Sequence, residues 1–197
     1  MISEVNMGLL GGTFDPPHLA HVELARSAIR QLGLSRLLVI PTGQPWHRRT
    51  PPSAAHHRLA MCRLAFAELP EVEVDDRETR RSGPTYTIDT VRELKSEWPQ
   101  AVWHLIIGAD QAQRFGTWHQ HEQLLCLVHI VVADRDPEAG RWQNTVLMQA
   151  QRLTFKPMDI SATAIRSCVA QGLTAPGLQP QVQDYVLHHQ LYKAPPT

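Results

Sequence analysis

The segment Gly11-Gly12-Thr13-Phe14-Asp15-Pro16-Pro17-His18-Leu19-Ala20-His21 holds the densest chemistry in this chain. Gly11 and Gly12 permit unusual backbone dihedrals and a close approach of the main chain to a ligand. The stretch leaves an apolar run that reads as a strand and opens a helical pattern. Backbone N–H groups and the positive end of a helix would then point at one crevice, for which phosphate is the natural guest. His18 and His21 are three apart and share a face of the first helical turn. Two imidazoles placed there can donate to phosphate oxygens and stabilise charge that builds up in a transition state. An HxxH pair also suits half a metal site or two surface histidines. The glycines, the turn and the helix start favour phosphate.

A second segment, Asp159-Ile160-Ser161-Ala162-Thr163-Ala164-Ile165-Arg166, also opens a helical pattern. Ser161 suits the N-cap, and Thr163 and Arg166 share a face. Hydroxyls, unpaired helix N–H groups and a guanidinium make a phosphate clamp. In isolation the same residues describe an ordinary capped helix with a surface arginine. Gly83-Pro84-Thr85-Tyr86-Thr87-Ile88-Asp89-Thr90 starts another helix, and capping by Thr85 or Thr87 accounts for it on periodicity. Trp118 lies among Thr117, His119 and Gln120, polar neighbours that favour a partly exposed ring over core packing.

Taken together, these segments resemble the HxGH nucleotidyltransferases, specifically the nicotinate-mononucleotide adenylyltransferases. GGTFDPPHLAH is similar to their GGTFDPxHxGH signature, with Ala20 in place of glycine. Ser161, Thr163 and Arg166 match their ISSTxIR element, with Ala162 replacing the second serine. The stretch RSGPTYTIDT resembles their RxGPSYTIDT, and Ile106-Ile107-Gly108-Ala109-Asp110 their IIGAD. Pro45-Trp46-His47-Arg48 corresponds to PPHK, with Arg48 in place of lysine. The ending Val182–Tyr192 resembles VxxYIxxHxLY, a packing helix in which His188 and His189 receive no chemistry. The likeness runs from about residue 7 to 192.

The resemblance implies transfer of the AMP part of ATP to nicotinate mononucleotide, with pyrophosphate leaving and no covalent enzyme intermediate. It assigns catalysis to His18, His21 and Arg166. ATP would be held by Gly11, Gly12, Thr13, Phe14, His18, His21, Gly108, Asp110, Ser161, Thr163 and Arg166, with Asp110 accepting ribose hydroxyls. Arg135 resembles an arginine near the adenosine. Arg48 suits a phosphate contact and equally a solvated loop charge. Backbone N–H groups at Thr85 and Tyr86 would hold the nicotinate carboxylate, and Trp118 would stack on the pyridine. Main-chain donors prefer the acid, because the amide's NH₂ would leave a donor unpaired. Mg²⁺ is expected with ATP, held largely by phosphates and water, and no protein metal cage is expected. Two rivals stay open: an adenylyltransferase for the amidated nucleotide or for phosphopantetheine, and a nucleotide-binding regulator that has lost activity.

These residues need a scaffold that brings distant segments to one edge. Short apolar runs alternate with helical stretches, which is the pattern of an α/β, Rossmann-like parallel sheet flanked by helices. Strands are expected at Val5–Leu10, Leu37–Ile40, Val72–Val74, Val102–Ile107 and Val128–Ala133. Helices are expected from His18 to about Leu32, Ala54 to Leu69, Thr87 to before Pro99, Ser161–Gln171 and Pro180–His188. The last two form a small C-terminal helical part, about 159–192, of one domain spanning 1–197. Thr42–Ser53 and Asp75–Pro84 read as long loops, the second carrying Arg77, Arg80 and Arg81.

The 197 residues are 43% hydrophobic, enough for a single core. Lys+Arg and Asp+Glu are equal at 19 each, which argues against a nucleic-acid or membrane-surface partner. The three cysteines, Cys62, Cys126 and Cys168, show no pairing pattern and read as reduced thiols. With no signal-like or bilayer-spanning segment, a cytoplasmic protein is expected, and a homo-oligomer is left open.

Overall fold

The computed structural model describes residues 5–43, 52–134, 145–156 and 158–193. Arg48 and Arg135, both expected to contact ATP, lie outside the described residues. Six strands form the sheet: β1 (Val5–Gly12), β2 (Arg36–Pro41), β3 (Val72–Val74), β4 (Ala101–Gly108), β5 (His129–Asp134) and β6 (Gln151–Thr154). Their order is β3-β2-β1-β4-β5-β6, and every neighbouring pair is parallel. This is the doubly wound arrangement, in which the chain reverses direction across the sheet between β1 and β4.

The helices are α1 (Leu19–Leu32), α2 (Ala55–Ala65), α3 (Arg77–Arg80), α4 (Thr87–Glu97), α5 (Ala109–Gln113), α6 (His121–Leu127), α7 (Ala162–Ala170) and α8 (Pro180–His188). Alternation along each strand divides the core. Leu37 and Val39 of β2 face one apolar cluster with Val22, Ala25 and Ala28 of α1. Leu38 and Ile40 face the other, with Ile88, Val91 and Leu94 of α4 and Leu124 of α6. Central strands covered on both sides must be apolar nearly throughout, and β2 and β5 are.

Ile165 and Val169 of α7 and Val182 and Val186 of α8 belong to the same cluster as α1 and α2. The C-terminal helices therefore complete one face of the sheet. The link between them is fastened to α1, with Leu19 N–H donating to the Gly177 carbonyl at 2.9 Å. No helix among the described residues is long and apolar enough to cross a membrane.

Several elements differ from expectation. α2 stops at Ala65, although Phe66 and Leu69 continue the apolar pattern and are buried. The stretch 75–84 contains α3, and its arginines serve as ion-pair partners. Arg77 meets Asp75 at 2.7 Å and Glu97 at 2.9 Å, Arg80 meets Asp76 at 2.8 Å, and Arg81 meets Glu93 at 2.6 Å. The sixth strand, β6, carries one buried residue, Leu153, beside three exposed ones.

Candidate active site

The carbonyl ends of β1 and β4 define the crevice at the reversal point. β1 runs directly into Thr13 and Phe14, and β4 into α5, whose N-cap is Gly108. A Cβ added to Gly11 or Gly108 would meet no protein atom within 4 Å. Side chains there would fill the crevice itself. Gly12 is different: its Cβ would press on the Phe14 ring at 3.0 Å.

Phe14 takes φ +50°, in the left-handed region that residues with a Cβ seldom occupy. Its ring is 3% exposed and packs edge-on to His21, centroids 5.1 Å apart, and to Phe66. The Phe14 side chain thus supports His21 from behind. With the ring turned inward, the Phe14 main chain is the part of this residue that lines the turn.

His18 is the N-cap of α1, and its ring stacks on that of His21 with centroids 3.8 Å apart. The His18 backbone N–H donates to His21 Nδ1 at 3.2 Å. Nδ1 must then carry a lone pair, so the His21 ring proton sits on Nε2. Sequence spacing alone could not supply that tautomer.

Ser161 caps α7, its Oγ accepting from Ala164 N–H at 3.1 Å, as expected. Arg166, one turn further, donates from Nη1 to the Asp15 carbonyl at 2.7 Å and from Nη2 to Thr163 Oγ1 at 3.2 Å. The two phosphate motifs, 151 positions apart, are thus joined directly.

Arg58 is the residue that sequence reading missed most. It is 1% exposed and forks to three carbonyls: Ser53 at 2.9 Å, Thr13 at 2.9 Å and Gly43 at 3.1 Å. These belong to the segment before α2, the turn after β1 and the end of β2, so one guanidinium ties three borders of the crevice. A signal existed. Arg58 shares the α2 face of Met61, Cys62 and Ala65, all buried.

On the other side of the crevice, Tyr86 is the N-cap of α4 and is partly exposed. Its ring lies 4.5 Å from that of His119, and the neighbouring Trp118, also partly exposed, packs on Phe115 at 5.4 Å. Tyr86 and Trp118 are therefore gathered on one apolar cluster. His119 joins them unforeseen. Thr85 is buried, close to the carboxyl of Glu78. Burial pushes that carboxyl up, opposed by the Thr90 hydroxyl at 2.7 Å, by Arg81 and by Thr85. Asp110, in the first turn of α5, is exposed. Among the described residues, no group of three His, Cys, Asp or Glu is placed to hold a metal ion.

The profile of the cytidylyltransferase-like family matches residues 9–168. A probable nicotinate-nucleotide adenylyltransferase of Albidiferax ferrireducens is 44% identical over 95% of this chain and 98% of its own. One of Methylibium petroleiphilum is 40% identical over 96% of this chain and 93% of its own. Among solved structures, the nicotinic acid mononucleotide adenylyltransferase of Plasmodium falciparum complexed with NaAD superposes with a TM-score of 0.77 at 18% identity. The match covers 96% of this chain and 98% of that one.

Proposed function

Because the chain belongs to the cytidylyltransferase-like family and, within it, to the nicotinate-nucleotide adenylyltransferases, we propose that His18, His21 and Arg166 carry out adenylyl transfer at the β1–β4 crevice. The reaction joins nicotinate mononucleotide to the AMP moiety of ATP and yields nicotinate adenine dinucleotide and pyrophosphate. The nucleotide's 5′-phosphate oxygen attacks the α-phosphorus, and the bond to the bridging oxygen of the β-phosphate breaks as pyrophosphate departs. A phosphate is already ionised at neutral pH, so the protein need not supply a general base. Alignment and charge stabilisation then account for the rate.

The observation that carries this assignment is the bond from Arg166 to the Asp15 carbonyl. It sets the N-terminus of α7 against the turn bearing His18 and His21, so triphosphate entering the crevice would meet donors from both sides. In this reading His21 Nε2–H donates to a phosphate oxygen, while Gly11, Gly12 and Gly108 admit the nucleotide backbone closely. Ser161, Thr163 and the main chain of Thr13 and Phe14 complete the phosphate and ribose contacts with Asp110. The N–H groups at Thr85 and Tyr86 would receive the nicotinate carboxylate, with Trp118 against the pyridine ring. A divalent cation, which we take to be Mg²⁺, would come with ATP, held by its phosphates and water, and would neutralise developing charge.

The experiment is a pyrophosphate-release assay with nicotinate and nicotinamide mononucleotides side by side. His18→Ala and His21→Ala should each lower kcat by about 100-fold or more with modest change in nucleotide binding. Near-normal turnover in both would overturn the catalytic assignment. A preference for the amide would overturn the reading of Thr85 and Tyr86.

A further inference from the structure

Asp15 stands in the turn between β1 and α1 and is 5% exposed. Its carboxylate is held from two remote places. Tyr192 OH donates to Oδ1 at 2.7 Å, and the backbone N–H of Ser53 donates to Oδ2 at 3.1 Å. Its carbonyl accepts from Arg166, and the carbonyl of Thr13, two residues earlier, accepts from Arg58. The turn also contains Phe14 at φ +50°, a conformation that persists only where its surroundings impose it.

Tyr192 reaches Asp15 by an unusual route. After α8, Gln190 and Tyr192 both adopt left-handed backbone, at φ +52° and +65°, and Leu191 N–H bonds back to Val186. Two residues in a disfavoured region bring one phenol under the catalytic turn. Burial, then the Asp15 charge and their hydrogen bond, push the phenol well above its ordinary range, so the group stays a neutral donor. Hydrogen bonds to a carboxylate are stronger and shorter than neutral ones, and this one is short.

We propose that Tyr192 is a positioning residue for adenylyl transfer, acting through Asp15 to fix the turn that sets His18 and His21. This rests on the reading of those histidines as the phosphate-stabilising pair. In this reading Tyr192 acts through Asp15 rather than on substrate. Its hydroxyl and the Ser53 amide clamp the carboxylate, Arg166 pins the adjoining carbonyl, and the N-cap of α1 follows three residues later. Displacement of reacting groups by about 1 Å can cost roughly 100-fold in rate, so a turn held at this many points has kinetic consequences.

The test is Tyr192→Phe, which deletes one oxygen and keeps the ring. We expect kcat to fall about 10- to 100-fold with the KM for ATP within about threefold of the parent. Asp15→Asn should produce a similar loss, because an amide turned toward both Tyr192 and Ser53 leaves one donor facing another. In the double variant the losses should not multiply, since both remove the same link. A Tyr192→Phe enzyme with normal kcat and only a lowered Tm would reduce the residue to a tail anchor and overturn the proposal. So would single losses that multiply in the double variant. His21→Ala measured in the same assay separates the two readings. If it is inactive while Tyr192→Phe is normal, only the positioning role fails; if it is active, the assignment of the histidines fails.

Discussion

Replacing Arg58 by Met removes the guanidinium that joins the turn after β1, the end of β2 and the segment before α2. Three hydrogen bonds from a charged donor are worth roughly 1.5–3 kcal/mol each in isolation. Against that gross sum stands the cost of keeping a cation buried at 1% exposure, several kcal/mol per ion, which methionine does not incur. The freed carbonyls of Ser53, Thr13 and Gly43 also lie near the crevice and can recover water. The balance is a net loss of about 3 kcal/mol. For a chain of this size each kcal/mol lowers Tm by roughly 2–4 °C, so Tm should drop by about 6–12 °C. Urea unfolding followed by circular dichroism gives the free energy directly. Arg58→Lys should recover little, because a compact ammonium cannot fork to three acceptors. A loss below about 1 kcal/mol in Arg58→Met would mean that the three carbonyls do not depend on the guanidinium, and the bracing argument would fail.

Gly43→Ala places a methyl well inside contact of the Glu78 carbonyl oxygen, a backbone atom that cannot rotate away; a destabilisation of about 1–3 kcal/mol is expected in the same unfolding assay. Trp118→Ala should raise the KM for nicotinate mononucleotide about tenfold while leaving that for ATP near its parent value, and equal shifts in both would dismiss the stacking role. Acidification should destabilise the fold. The imidazole of His57 is held down by burial and by His56 and His189, and that of His104 by burial and by His129. The unfolded chain therefore binds more protons than the native one from about pH 6.5 down to the native values, and stability falls across that window. His57→Gln with His104→Gln should flatten the dependence of the urea midpoint on pH, and an unchanged slope would locate the effect elsewhere.

Much of this architecture was legible because its signals are local. β2 and β5 announce themselves by near-continuous apolar runs, and α1 by its spacing and by Gly33, which takes φ +59° at its C-cap. β6 was not legible: Gln151, Arg152 and Thr154 are exposed at a sheet edge, and only Leu153 meets the core. α3, α5 and α6 are too short for periodicity to develop. The site divides the same way. His18, His21, Ser161, Thr163 and Arg166 sit in compact motifs whose residues share a turn of helix. The Asp15–Tyr192 bond spans 177 positions, and neither partner's neighbours hint at the other. The inward turn of the Phe14 ring was not legible either, because it depends on a positive φ that residue type does not announce.

The order of the strands has a consequence for how the protein is made. β1 is translated before the other strands of the sheet, but its partner on one side, β4, arrives only after β2 and β3. Domains begin to organise from the N-terminus during synthesis, at roughly 5–20 residues per second. The turn after β1 thus emerges early and waits. Arg166 and Tyr192, which bond to Asp15 in that turn, lie beyond β6 in the chain. All six strands are therefore translated before the two side chains that fasten the turn.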